Sequence, residues 1–162
     1  MSEIVNPIHL HLALNHVPVL GTVFVAAALV VSLWRKNAEF VRLSLWAAVL
    51  LSAASIAIKF TGDAAWEDLR PWPQPYDGAR VERHESAADQ ATTGVFVVGV
   101  VAAAVLFLAR RRPEVSKAQA GTVVTLLLVT FALMARTANL GGQLRHPQLR
   151  GDNAGAVSPN SR

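Results

Sequence analysis

Residues 17–33 read VPVLGTVFVAAALVVSL, a run without a single charge. Three more such runs follow: Leu43 to Ile58, Thr92 to Ala109 and Ala118 to Ala135. A helix rises about 1.5 Å per residue and needs about 20 residues to cross an apolar core of about 30 Å. Each run reaches that length once a polar turn at its end is added. The expected spans are about residues 12–33, 43–61, 87–109 and 118–140. Four such helices leave little of a 162-residue chain for anything else. The fold class is therefore all-α: one four-helix transmembrane bundle, residues 1–150. The tail, 151–162, is rich in Gly, Asn, Ser and Pro and reads as disordered.

Basic residues orient the bundle. Arg35, Lys36 and Arg42 lie between the first two spans, and Arg110, Arg111, Arg112 and Lys117 between the last two. The central connection instead carries Asp63, Glu67, Asp68, Asp77, Glu82, Glu85 and Asp89 against Arg70, Arg80 and Arg83. Positive loops stay in the cytoplasm, which puts both termini and the acidic loop on the outer, periplasmic side. The net charge of +4 is thus explained by two juxtamembrane loops, and no nucleic-acid partner is expected. The first run lacks a basic n-region and is too long for a cleaved secretory signal, so it reads as a retained span.

The ends of the spans carry local signals. Pro18 interrupts the first helix after Asn15 and His16. Gly62 is placed to cap the second helix, and Gly141 and Gly142 to end the fourth and fold Arg145 and His146 back over the bundle mouth. Pro71, Pro73 and Pro75 break any helix between Leu69 and Tyr76, with helix resuming near Asp77.

Cysteine is absent, which excludes disulfides, thiolate metal sites and covalent haem attachment. No nucleophile triad, phosphate loop or dinucleotide fingerprint is present. The chemistry rests on histidine. His9, His11, His16, His84 and His146 all fall at the same end of their spans. Measured from the cytoplasmic ends, His9, His11, His84 and His146 share a layer at about 35–40 Å, with His16 near 27 Å. Imidazole is the commonest metal ligand, so one-sided histidines beside a bilayer suggest a metal or haem site. The ligand pool is His11, His16, His84 and His146. Glu85 points about 100° away from His84 around the helix and is expected to accept from a histidine of another helix. Arg136, Asn139 and Gln143 share one face of the last helix. Arg136 and Arg145 are the expected anion partners in cofactor binding, with Asn139 beside them. The alternative for Arg136 is an interfacial ion pair with Asp63, Glu85 or Asp89.

These pieces form an ordered set. His11-Leu12-Ala13-Leu14-Asn15-His16-Val17-Pro18 is followed by Thr61-Gly62-Asp63, by His84-Glu85 with Ala87-Ala88, and by Thr137 through Pro147. The set resembles small four-span bacterial membrane proteins of the domain of unknown function 2231 group, over about residues 9 to 148. Asp63 and Gln148 stand where that pattern carries glutamate. The resemblance implies a multi-pass protein of the bacterial inner membrane. It also implies redox work beside a periplasmic cytochrome c or Rieske protein. The resulting expectation is a membrane-embedded b-type haem protein in electron transfer. Two alternatives stay open: a non-haem Cu, Zn or Fe site, and a structural or assembly subunit of a redox complex.

Overall fold

The computed structural model describes residues 7–69 and 78–146. All its regular elements are helical: α1 (Pro7–Leu14), α2 (His16–Trp34), α3 (Ala38–Leu69), α4 (Gly78–Leu108) and α5 (Lys117–Arg145). Helices α2 to α5 pack in sequence order, and α2 closes the ring against α5. Helix α1 continues the line of α2 past a single turn residue, Asn15, and rests on α3. Four segments are long and apolar enough to cross a membrane: Ile8–Trp34, Ala38–Glu67, Gly78–Leu108 and Lys117–Leu144. The protein is a multi-pass membrane bundle.

Each segment is longer than the expected span. Helix α3 runs straight through Gly62 to Leu69, and α5 runs through Gly141 and Gly142 to Arg145. The capping role expected of these glycines is therefore corrected. Pro71, Pro73, Pro75, the Arg145 side chain and the 151–162 tail lie outside the described residues.

The packing is that of a protein in lipid. Large apolar side chains point outward: Phe24 is 70% exposed, Leu50 65% and Phe107 62%. Small residues fill the helix contacts, among them Ala26, Ala48, Ala102 and Ala120, around the fully buried Leu29, Leu45 and Leu127. Lipid tails offer Phe and Leu as good a home as a protein core, so helices associate through close backbone approach at small residues. Buried hydroxyls bond carbonyls of their own helix: Thr22 to Pro18 O (2.6 Å), Ser44 to Phe40 O (2.8 Å) and Ser55 to Leu51 O (2.7 Å). No polar group then faces hydrocarbon unpaired at those points.

The basic end is tied by Arg42. Its Nη2 donates to the carbonyls of Ala109 (3.0 Å) and Arg112 (2.7 Å), fixing the start of α3 to the α4–α5 loop. There α5 opens with a capping box, in which Ser116 and Gln119 satisfy each other's backbone amides.

Candidate functional site

At the opposite end, the structure draws two of the four histidines inward. His11, on α1, is half-buried, and its Nδ1 lies 3.2 Å from Thr61 Oγ1 on α3. The Thr61 hydroxyl already donates to Ile58 O at 2.6 Å. A hydroxyl has one proton, so Thr61 accepts from His11, and His11 carries its proton on Nδ1. His84, on α4, is also half-buried, and its Nδ1 lies 3.1 Å from the carbonyl oxygen of Thr137 on α5. A carbonyl only accepts, so His84 is protonated on Nδ1 as well. Both rings are held in one tautomer, with the Nε2 lone pair left to bind something else.

Both rings also bring Cε1 close to a glycine. A Cβ on Gly62 would stand 2.8 Å from His11 Cε1, and one on Gly141 would stand 3.0 Å from His84 Cε1. The conformational freedom of glycine is not used here, since both lie inside helix; what matters is the missing side chain. The two halves of the bundle repeat one device: a histidine from one helix, seated on a glycine of the next and oriented by a threonine. The imidazoles of His11 and His84 lie within electrostatic range of each other, and Glu85 lies within range of His84.

Asn15 adds a third element. It occupies the break between α1 and α2, makes no side-chain cap bond, and its Oδ1 is buried without a hydrogen-bond partner among the described residues. Proline at position 18 has no N–H to give the Leu14 carbonyl, which is why the helix yields there. Asn15 Oδ1 is thus a buried acceptor short of a donor.

The other expected residues are placed elsewhere. His16 begins α2 and is exposed, as is His9. His146 is exposed at the C-cap of α5, its backbone N–H bonded to Gly142 O at 2.9 Å. With no turn at the glycines, it is not folded back over the mouth. Asn139 is exposed. Arg136 Nη1 donates to Gln90 Oε1 on α4 at 2.9 Å, rather than to Asp63, Glu85 or Asp89. Asp63 and Asp89 both pair with Lys59, at 3.1 and 3.4 Å. Glu85 is exposed on α4, and among the described residues it makes no ion pair with a histidine. Among the described residues, no three His, Asp or Glu side chains gather as a group able to hold a metal ion.

The sequence reading identified His11 and His84 but missed Thr61, Thr137, Gly62, Gly141 and Asn15 as their setting. The available signal was the Thr-Gly pair beside one histidine register and Thr137 one turn before Gly141. The chain matches no family model, and no curated protein or solved structure is significantly similar to it.

Proposed function

We propose that the histidine end of the bundle binds a b-type haem through Nε2 of His11 and His84, and that the protein transfers electrons. The observation that carries this reading is the shared tautomer, with each Nδ1–H spent on a threonine oxygen of a neighbouring helix. An axial histidine needs this arrangement: the outer nitrogen donates, the ring is fixed, and Nε2 becomes a better ligand. Bound haem supplies a one-electron change at iron. The chain's part would be to orient the two rings through Thr61 and Thr137 against Gly62 and Gly141. Two donors suffice for an axial pair, whereas the non-haem alternative needs three or more. Arg145 and Arg136 remain the proposed anion partners, with Arg136 first having to leave Gln90. The resembled group implies a periplasmic cytochrome c or Rieske protein as the redox partner.

The test is the reduced-minus-oxidised spectrum and the haem content of the protein purified from membranes. His11→Ala and His84→Ala should each lose the Soret and α bands, while His16→Ala and His146→Ala keep them. A histidine-dependent copper, zinc or iron content without a Soret band would replace haem by the non-haem reading. Normal folding with no cofactor in any preparation would leave a structural subunit.

A further inference from the structure

Helix α1 has the construction of a lid. None of its described side chains, Ile8 to Leu14, is buried, whereas α2 to α5 each bury several. It rests mainly on α3, and at His11 it is held by the bond to Thr61. A segment with few buried contacts belongs to the low-stability end of a fold and opens before the rest. The joint below it is already half undone. Pro18 gives the Leu14 carbonyl no N–H, and Asn15 beside it keeps Oδ1 buried without a partner among the described residues. Burying an unpaired acceptor costs free energy that is recovered when water reaches it. Counted from Trp34, the end of α2, Asn15 lies at about 29 Å and Pro7 at about 40 Å, against an apolar core of about 30 Å. The joint therefore falls at the edge of the hydrocarbon. Polar groups freed deeper than this stay unpaired, but those freed here meet headgroups and water.

We propose that α1 is a lid, hinged between Asn15 and Pro18, that swings off α3 and carries His11 with it. Closed, it seats His11 on Gly62 and Thr61. Open, it bares that stretch of α3 and hydrates Asn15 Oδ1. His84 does not follow. It stays bonded to Thr137 on a helix whose next turns bury Ala87, Ala91 and Val95. One imidazole of the site is thus fixed in the bundle and the other is mobile. A group too large to pass between packed helices enters from the headgroup layer, meets His84 first, and is closed upon by His11. What enters rests on the haem reading. The motion does not, because it follows from the packing of α1 and the polar joint beneath it.

The experiment is a distance distribution by double electron–electron resonance on the full chain in lipid nanodiscs. The chain has no cysteine, so spin labels go only where one is introduced. Ala13→Cys on α1 and Ala104→Cys on α4 are exposed positions for the pair. This background should give two distances, closed and open. Thr61→Val removes the bond at His11 and should raise the open-to-closed ratio about fivefold, the factor to which the ~1 kcal/mol of one net hydrogen bond corresponds. Asn15→Ala removes the orphan acceptor and should lower the ratio by about the same factor. Pro18→Ala restores an N–H to the Leu14 carbonyl and should leave one narrow distance. A distribution left unchanged by Thr61→Val or by Asn15→Ala, or a second distance that persists in Pro18→Ala, would overturn the proposal. The measurement needs no cofactor. A moving lid in a protein without haem, or bound haem beside a rigid α1, therefore separates the failure of one reading from the failure of the other.

Discussion

Gly62 and Gly141 each carry two opposing consequences of one missing methyl group. In a helix interior, alanine is favoured over glycine by about 1 kcal/mol. At Gly62, however, a Cβ would stand 2.8 Å from the His11 ring, closer than real side chains approach. The ring must move, and its bond to Thr61 is lost. Gly62→Ala is therefore predicted to keep or slightly raise helix stability while releasing His11 from its single tautomer. Imidazole nitrogen chemical shifts would read this directly, and an unchanged Nδ1–H signal would show that the seat is not needed. Thr61→Val should release the same tautomer without any clash. This scale was the least legible in the sequence. A glycine near the end of an apolar run looks the same whether it ends a helix or lets a neighbour approach. Only the packing of α1 on α3 and of α4 on α5 decides between the two. The histidines themselves were legible because type and register place them at one end without knowledge of their neighbours.

At the scale of the helix, the α2–α3 connection is a tight reversal. Asn37 N–H bonds Ser32 O at 3.0 Å and Lys36 N–H bonds Leu33 O at 3.2 Å, the pair of bonds of a Schellman motif. The Asn37 side chain then accepts from Phe40 N–H at 2.9 Å and caps α3. The residue at the left-handed position is Lys36, with φ of 53°, where glycine is usual. A side chain in that conformation costs about 1–2 kcal/mol. Lys36→Gly is predicted to stabilise the bundle by about 1 kcal/mol, seen as a higher unfolding midpoint in detergent. A lower midpoint would mean that the lysine makes up the strain through its charge. Lysine here also belongs to the basic set expected to orient the chain, which would give a reason for it to stand in a glycine position. The helices proved legible in number and order, but not in length. Charge-free runs mark where lipid lies, whereas Lys59, Asp63 and Glu67 continue α3 beyond it as ordinary helix.

For the whole molecule, sidedness is the claim on which the partner depends. By the positive-inside rule, the seven basic residues in the two short loops lead us to expect those loops in the cytoplasm. A reporter fused after Arg112 should behave as cytoplasmic, and one within residues 71–77 as external. The reverse pattern would move the histidine end, and any redox partner, to the other compartment. The bundle was readable from sequence because burial in lipid demands continuous apolar runs. The site was only half readable, because its geometry joins residues far apart in the chain. That separation has a consequence for how the protein is made. His11 emerges from the ribosome fifty residues before Thr61, and His84 fifty-three before Thr137. During synthesis the first hairpin, α1 to α3, completes its own seat early and waits. The second seat exists only when the final helix has entered the bilayer. A cofactor held by both histidines, as proposed, would therefore be loaded only after translation of the last span, as the closing step of assembly.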